Sequence, residues 1–220
     1  METSEIKSLL KQNGFRIVNK NPDMIVCYGG DGTILYAETN FPQIPKLVIK
    51  KSRICRKCDY FLQDMELTLR KIKEKKFKLQ KEMKLETIFK KRKLIALNEI
   101  QVHAMLPTHA IRFSVSVDGR RLPNLIGDGI VVATPFGSTG YYKSTGGNQF
   151  KEGIGVSFNN LHNEKIESFV GPNDWIVKVT IDRGPAWVIA DNNEELLRLR
   201  NRDSIMIKKS ESVANFIYVQ

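Results

Sequence analysis

Gly29-Gly30-Asp31-Gly32-Thr33 is a glycine-rich motif that connects a predicted strand to a predicted helix. The apolar run at residues 24–28 is typical of a short buried strand, and residues 33–39 can form a helix. We expect the glycines to adopt positive φ angles and to let a ligand approach the backbone closely. Free N–H groups at the start of the helix favour an anion, so the motif predicts a phosphate site.

One carboxylate, Asp31, lies within this predicted phosphate site. A lone acid there can accept a proton from a substrate hydroxyl, or it can bind a phosphate-bound Mg²⁺ ion. A tight turn with an aspartate helix cap is the alternative, and the motif alone does not decide between them.

The composition is that of a globular protein with one large domain or two small ones. The chain has 220 residues, of which 41% are hydrophobic and 27% charged. No apolar stretch approaches the length that spans a membrane, and residues 1–5 do not resemble a signal peptide. We therefore expect a cytoplasmic protein with no membrane partner.

The three cysteines do not predict a disulfide framework. Cys55 and Cys58 have the spacing of half a zinc site, but a second pair is missing. We interpret them as two thiols in a basic loop, which nearby cations make oxidisable, and we predict no metal site within the protein itself.

The positive charge is concentrated in one segment. The formal net charge is +11, and residues 50–93 hold 17 Lys/Arg against six Asp/Glu. Such an excess is typical of nucleic-acid-binding proteins, but it also fits cations that line a site for a polyphosphate.

The pattern of elements predicts an α/β domain followed by a β-rich domain. Helices are predicted at residues 4–13 and 33–39, and strands at 15–18, 24–28 and 46–49. A further helix is expected after Asp59, with Phe61, Met65, Leu69 and Ile72 on its buried face. From residue 77 onward many short alternating runs predict strands, with a hairpin turn at Asp118-Gly119. We place the domains at 1–84 and 85–210, and residues 211–220 can return to the first domain.

Two further motifs lie in the predicted β-rich domain. Asn98-Glu99 directly follows a predicted strand, so its side chains can face a ligand, although a satisfied turn explains the pair equally well. Residues 128–141 form a strand that ends in Thr134-Pro135 and bends at Gly137. This bend offers hydroxyls, amides and the flat ring of Tyr141 to a ligand.

The three motifs, in this order, resemble those of the NAD kinases, which phosphorylate the 2′-hydroxyl of the adenosine ribose of NAD. The glycine motif alone is shared with lipid kinases and phosphofructokinases, whereas residues 134–141 point to NAD. The resemblance implies an α/β domain, a β-rich NAD-binding domain and NAD in the cleft between them. It also implies Mg²⁺ with ATP, or polyphosphate as the phosphoryl donor.

The resemblance implies a role for each matching residue. Asp31 would be the base, Glu99 would contact the ribose, and Asp128 would meet the nicotinamide part, often from a neighbouring subunit. A homodimer or homotetramer is therefore expected. Residues implied near the adenine are Asn98, Thr134, Ser138 and Tyr141. Further substrate contacts are expected at Gly30, Gly32, Thr33, Thr139 and Asp191, and phosphate contacts at Gly29, Gly30, Gly32 and Arg53.

The basic loop at residues 50–58 departs from the family, which leaves the choice between ATP and polyphosphate open. Two other functions are weighed against NAD phosphorylation. A lipid or small-molecule kinase of the same superfamily would explain the glycine motif but not residues 134–141. A basic nucleic-acid-binding module would leave all three motifs without a role, so a nucleic-acid partner is disfavoured.

Overall fold

The computed structural model describes residues 2–51 and 60–219, which form two compact units. Unit 1 comprises residues 1–82 and 214–220, and unit 2 comprises residues 83–213. Unit 1 contains helices and parallel strands, and unit 2 is built mainly of antiparallel strands. The predicted fold class, α/β followed by all-β, is confirmed.

Unit 1 is a small parallel sheet with helices. The strand at Lys46–Lys50 pairs in parallel with the strand before the glycine motif. Almost all residues of Lys46–Lys50 are buried, as expected for a parallel strand. The elements are α1 (Glu2–Gln12), β1 (Ile25–Gly29), α2 (Asp31–Asn40), β2 (Lys46–Lys50), β3 (Tyr60–Phe61), a 3₁₀ turn (Leu62–Asp64) and α3 (Met65–Lys73).

The third helix begins later than the sequence predicted. Its expected cap, Asp59, lies outside the described residues. Phe61 belongs to β3 and is half exposed, so it is not part of a helical stripe. Met65 and Leu69 are fully buried, as predicted for the inner face of α3. The β3 pairing with β2 displaces the helix start because it fixes an extended backbone at residues 60 and 61.

The strand predicted at residues 15–18 is wrong, because these residues have no regular secondary structure. Gly14 has a φ of +72°, and the N–H of Phe15 donates to the carbonyl of Leu10 at the end of α1. This is the usual way in which a glycine closes a helix. The apolar side chains that suggested a strand instead help to line a cavity of about 870 Å³ within unit 1.

The strands that follow α3 in the chain are β4 (Phe77–Phe89), β5 (Arg92–Ala96), β6 (Glu99–Ala104), β7 (Ile111–Val117), β8 (Arg120–Arg121), β9 (Leu125–Gly127), β10 (Gly129–Ala133), β11 (Ile154–Asn159), β12 (Phe169–Gly171), β13 (Val177–Arg183), β14 (Ala186–Ala190), β15 (Leu197–Leu199) and β16 (Ser204–Val219). In unit 2, strands of two sheets pack around one apolar core. One sheet has the order β12-β11-β10-β6-β14-β15, and each neighbouring pair in it is antiparallel.

Alternation of inward and outward side chains builds the core of unit 2. Along β7, every second residue from Ile111 to Val117 is buried. Every residue of β10 is buried, so this strand is covered on both of its faces. The turn at Asp118-Gly119 has two positive φ angles and joins β7 to β8, which confirms the predicted hairpin.

A 3₁₀ turn (Gly137–Thr139) and the short helix α4 (Tyr141–Ser144) follow β10. Tyr142 of α4 is buried against Val131, Ala133 and Phe150, with its ring at right angles to that of Phe150. This packing anchors the segment that carries the third motif to the outer side of β10.

The last strand, β16, begins in unit 2 and ends in unit 1. Its residues 204–207 pair with β13, whereas Phe216 pairs with Lys46 of β2. Ile217 is buried in the apolar cluster of unit 1 together with residues of α1, β2 and α3. Residues 214–220 are thus an integral part of unit 1.

Candidate functional site

The glycine motif of unit 1 lies where β1 ends and α2 begins. Gly29 is the last residue of β1, Gly30 precedes the helix, and Asp31 is its first residue. Asp31 is half-buried, and its negative charge at the amino end of α2 is favourable for the helix. The motif therefore presents a carboxylate next to backbone N–H groups that have no partner inside the helix.

The prediction that these glycines adopt positive φ angles is wrong: Gly30 has a φ of −110°, and neither Gly29 nor Gly32 has a positive φ. The lack of side chains at these glycines matters for the space around the turn. A Cβ atom on Gly29 would lie 2.1 Å from the hydroxyl of Thr33, whereas Gly30 and Gly32 have no atom within 4 Å of such a position. The turn is compact on one side and open on the other, which allows close approach of a ligand.

A buried ion pair holds α2 against the sheet of unit 1. The Lys46 ammonium on β2 contacts the Glu38 carboxylate on α2 and donates to the carbonyl of Phe41, 2.9 Å away. Lys46 is fully buried and Glu38 nearly so. The neighbouring thiol of Cys27 has its pKa raised to about 12, chiefly by burial, so it is an inert core residue.

In unit 2 the second and third motifs are in direct contact. The Thr134 hydroxyl donates to the carbonyl of Leu97 (2.6 Å), and the Thr134 N–H donates to the carbonyl of Asn98 (2.8 Å). Gly137 packs so closely that a Cβ atom there would lie 2.1 Å from the carbonyl oxygen of Asn98. Only glycine fits at residue 137 with this backbone.

The side chains of Asn98 and Glu99 both lie near Gly140. A Cβ atom on Gly140 would lie 3.6 Å from both the Asn98 amide nitrogen and Glu99 Oε2. Glu99 is 6% exposed, and its Oε2 atom has no hydrogen-bond partner within the described part of the chain. An amide and a carboxyl group that both lie close to one glycine can bind a nucleoside through its base and sugar hydroxyls.

Glu99 has an unusual pKa, which is raised to about 8. Burial is the largest cause, and the negative charge of Asp191 adds to it, whereas a hydrogen bond with Gln101 acts in the opposite direction. A carboxyl group whose pKa is strongly perturbed by burial and by a neighbouring charge is typical of a functional site.

The remaining residues of the third motif divide into internal and outward-facing groups. The Ser138 hydroxyl is buried and lies 2.7 Å from the carbonyl of Pro135 and 3.2 Å from that of Phe150. Thr134 is likewise fully buried. Tyr141 is 36% exposed, so its ring is available to a ligand. Thr139 closes the 3₁₀ turn.

Asp128 lies at the opposite end of β10 from Thr134, which is about 20 Å along an extended strand. Its Oδ2 accepts a hydrogen bond of 2.7 Å from the side-chain amide of Asn160. The structure therefore brings together Asn98, Glu99, Thr134 and Gly140, but not Asp128. Whether these two places take the adenosine and nicotinamide parts of one dinucleotide, as the resemblance implies, stays a prediction.

Asp191 follows β14 and contacts the second motif. Its carboxylate accepts hydrogen bonds from three backbone N–H groups, those of Leu97 (2.7 Å), Asn98 (2.8 Å) and Glu99 (3.1 Å). The sequence analysis expected Asp191 to contact the substrate, but it did not predict these hydrogen bonds to residues 97–99.

Sequence reasoning missed two supporting residues. Gly140 was quoted within the third motif but received no role, although it faces Asn98 and Glu99. Asn160 holds Asp128, and the Asn159-Asn160 pair at the end of a predicted strand was the available signal. Arg53, Cys55 and Cys58 lie outside the described residues.

Within residues 2–51 and 60–219, no group of three or more His, Cys, Asp or Glu side chains is placed to hold a metal ion. No helix in these ranges is long and apolar enough to cross a membrane.

Comparisons with known proteins agree on one family. The ATP-NAD kinase C-terminal domain model matches residues 97–219. The NAD kinase of Thermoplasma volcanium is 27% identical over 220 residues, covering 97% of this chain and 80% of the relative. The NAD kinase of Clostridium beijerinckii is 25% identical over 224 residues, covering 96% and 79%.

Solved structures show the same fold. An NAD kinase from Archaeoglobus fulgidus, crystallised in complex with ATP, has a TM-score of 0.84 and 26% identity, covering 98% of this chain and 88% of that one. A yeast NADH kinase complexed with NADH has a TM-score of 0.79 at 20% identity, covering 91% and 62%, and so supports the fold alone.

The NAD kinases among the relatives, together with the similar NAD kinase structure in complex with ATP, place this chain in the class of phosphotransferases. Because the family model spans more than half of the sequence, the chain belongs to the NAD kinase family.

Proposed function

We propose that this protein transfers a phosphoryl group from ATP to the 2′-hydroxyl of the adenosine ribose of NAD, giving NADP. The observation that carries the proposal is the arrangement at Gly140, where Asn98 and Glu99 present polar atoms that can bind an adenine edge and a ribose. The relatives named above are NAD kinases, and one of them was crystallised with ATP.

Asp31 is the proposed base. It would accept the proton of the 2′-hydroxyl as the oxygen attacks the terminal phosphorus of ATP, while the bond from that phosphorus to the β–γ bridging oxygen breaks and ADP leaves. Phosphoryl transfer needs mainly positioning of the reactants and stabilisation of charge, with one carboxylate directing the nucleophile. The open surface beside Gly30 and Gly32 supports this role, because donor phosphates can approach the first backbone N–H groups of α2 there.

NAD recognition is proposed to depend on unit 2. Asn98 and Tyr141 would contact the adenine, and Glu99 the ribose. Thr134, Ser138, Thr139 and Gly137 would give the binding turn its shape. Asp128 would contact the nicotinamide part, and its contribution to a neighbouring subunit's site in a homodimer or homotetramer is part of the proposal. A cytoplasmic location remains a prediction.

Mg²⁺ is proposed to arrive with the donor phosphates. Mg²⁺ in phosphoryl-transfer sites is usually bound by phosphates and water together with one or two carboxylates. The residues described here fit that pattern, because they offer Asp31 but no ready-made cage of three or more ligands. The ion would neutralise charge on the phosphates. Polyphosphate as an alternative donor, held with help from Arg53, is a second part of the proposal.

Replacing Asp31 with Asn tests the proposal. The variant should keep its thermal stability and its affinity for NAD but lose at least about 1,000-fold in the rate of NADP formation. Asp23→Asn, which changes an exposed aspartate before β1, is the matched control and should retain wild-type activity. Near wild-type turnover in Asp31→Asn would refute the assignment of the base.

A comparison of substrates tests the rest of the proposal. NAD, NADH, diacylglycerol and a sphingoid base should be offered as acceptors, with ATP or polyphosphate and Mg²⁺ as the donor. Product formed only from the dinucleotides is expected. Phosphorylation of a lipid without phosphorylation of NAD would replace the proposal with the lipid kinase alternative.

A further inference from the structure

The backbone polar groups of residues 97–99 form hydrogen bonds with two other residues, Asp191 and Thr134. The N–H groups of Leu97, Asn98 and Glu99 all donate to the Asp191 carboxylate, and the Asp191 N–H donates to the carbonyl of Glu99 at 3.0 Å. The carbonyls of Leu97 and Asn98 accept from the hydroxyl and the N–H of Thr134. All six backbone polar groups of the segment are therefore paired.

This pairing fixes residues 97 and 98, which connect β5 to β6, and Glu99, the first residue of β6. A carboxylate that accepts several backbone N–H groups makes stronger hydrogen bonds than a neutral acceptor. Asp191 is more than 90 residues away from the segment in sequence and belongs to a different connection, after β14. The contact therefore sets the position of residues 97–99 relative to the sheet.

The side chains that leave this segment are those of the proposed nucleoside site. The side chains of Asn98 and Glu99 both lie near Gly140. The Oε2 atom of Glu99 is buried and has no hydrogen-bond partner within the described residues. An atom of this kind is costly to bury unless a ligand pairs with it. A fixed backbone lets both side chains keep the geometry that such a ligand needs.

We propose that Asp191 is a positioning residue for NAD: it acts through Asn98 and Glu99 and does not itself contact the dinucleotide. Both of its carboxylate oxygens already accept hydrogen bonds from the protein. This inference rests on the proposed function, because it assigns Asn98 and Glu99 to the adenosine part of NAD.

Asp191 also acts on Glu99 through its charge. Its negative charge helps burial to raise the pKa of Glu99, while a hydrogen bond with Gln101 lowers it. The pKa of Asp191 itself is raised by burial to about 6, against which its three backbone hydrogen bonds and the charge of Lys84 act. Removing this charge should therefore shift the titration of Glu99 to lower pH.

The test compares Asp191→Asn and Asp191→Ala with Asp203→Asn. Asp203 is a matched control, because its carboxylate also accepts a backbone N–H, that of Arg200 at 2.7 Å, in the turn between β15 and β16. For each protein, KM for NAD, KM for ATP and kcat are measured from pH 5.5 to 9. NAD binding is measured separately by titration calorimetry.

Asp191→Asn should raise both the KM and the Kd for NAD by about ten-fold or more, and Asp191→Ala should raise them further. The KM for ATP should change less than three-fold. The pH dependence of KM for NAD should shift to lower pH in Asp191→Asn and remain unshifted in Asp203→Asn. If Asp191→Asn folds poorly, Thr134→Val frees both the Leu97 carbonyl and the N–H of Gly137, and it should also raise KM for NAD.

Several results would overturn the inference. One is an NAD affinity and a pH profile that are the same in Asp191→Asn as in Asp203→Asn. Another is an equal rise of the KM for NAD and the KM for ATP in Asp191→Asn. The third is a wild-type KM for NAD in Thr134→Val. In these cases the wild-type enzyme still phosphorylates NAD, so the proposed function stands. A wild-type protein that neither binds nor phosphorylates NAD would remove both proposals together.

Discussion

Gly137 shows how much of the proposed nucleoside site depends on a single missing methyl group. A Cβ atom at this position would lie 2.1 Å from the carbonyl oxygen and 2.6 Å from the Cα of Asn98. No side-chain rotation can relieve such a contact, because the atoms belong to the backbone. The third motif therefore needs glycine here in order to reach Asn98.

Gly137→Ala should destabilise the protein by at least about 2 kcal/mol, because overpacking against a fixed backbone forces the chain apart. NAD binding should weaken in parallel. Both effects are measured by urea unfolding and by calorimetric titration. Gly32→Ala is the control for stability, since no atom lies within 4 Å of the added methyl group. Equal unfolding free energies in the two variants would contradict the prediction.

The buried carboxyl of Glu99 predicts a pH dependence of stability. Its pKa is raised to about 8 by burial and by Asp191, so the folded protein binds a proton more tightly than the unfolded chain. Between about pH 4.5 and pH 8 the contribution of Glu99 to stability therefore falls as pH rises. Glu99→Gln should be more stable than the wild type at pH 8, and this gain should disappear near pH 5. Thermal melting across this range measures the difference.

Glu86 provides a control of opposite sign. Burial alone would raise its pKa, but the hydrogen bonds from Lys93 and Ser210 and the charge of Lys208 outweigh it, so the pKa is lowered. Its contribution to stability is present at neutral pH and is lost as the pH falls below its usual value. Glu86→Gln should therefore be less stable than the wild type at pH 8. Parallel pH profiles for the Glu86 and Glu99 variants would show that neither assignment holds.

Local sequence suggested which residues form the proposed nucleoside site, but it did not contain the contacts among them. Asn98-Glu99 and residues 134–141 were identified because each follows a strand with side chains suited to a nucleoside. The bonds from Asp191 to residues 97–99 join positions more than 90 residues apart and depend on the pairing of β6 with β14. A single sequence contains no local pattern that reports such a pairing.

At the scale of elements, α2 depends on the buried pair of Glu38 and Lys46. The two side chains join α2 to β2, and the same ammonium caps the carbonyl of Phe41 just after the helix. A buried ion pair is not by itself strongly stabilising, but removal of one partner leaves an uncompensated charge in the core. The pair therefore specifies the placement of α2, and through it the placement of Asp31.

Lys46→Met should cost about 3–5 kcal/mol of unfolding free energy, because Glu38 is then buried without its partner. The double variant Glu38→Met with Lys46→Met should recover most of this loss, since neither charge remains. Urea unfolding of the two single variants and the double variant forms a complete cycle. Additive losses, with no recovery in the double variant, would show that the pair is not coupled.

Elements with a strong period could be predicted, and those set by neighbouring segments could not. The alternation in β7 and the apolar runs of β2 and β10 indicated strands that the structure contains. Residues 15–18 have the composition of a strand. The N–H of Phe15 instead donates to the carbonyl of Leu10, because α1 ends at Gly14. The start of α3 was misplaced because the pairing of β3 with β2 is not visible in the local sequence.

At the scale of the whole molecule, the excess charge of +11 is the feature that the proposed function explains least directly. Part of it is the exposed outer face of α3, with Arg70 and Lys73. If these cations serve nucleotide substrates rather than nucleic acid, the protein should bind nucleic acid only weakly. Binding to duplex or single-stranded probes should be weak at about 150 mM salt and should fall steeply with added salt. Tight probe binding that NAD and ATP do not displace would favour the nucleic-acid alternative.

Unit 1 is completed only by the last residues of the chain. Phe216 pairs with Lys46, Ile217 is buried in the apolar cluster, and the Asn215 side chain donates to the carbonyl of Gln43. By contrast, the apolar core of unit 2 is built from residues between Leu85 and Ile207. The C-terminal segment therefore contributes to the stability of unit 1 and little to the core of unit 2.

Deletion of residues 214–220 should unfold unit 1 and abolish NADP formation, because the sheet loses a strand and the core loses Ile217. Limited proteolysis should then cut within residues 1–82 and leave a resistant fragment close to residues 83–213. Ile217→Asp should give a milder form of the same result, since it places a charge in that core. Lys209→Ala, on an exposed position of β16, should behave as the wild type. Full activity and unchanged protease resistance after the deletion would mean that unit 1 folds without its C-terminal strand.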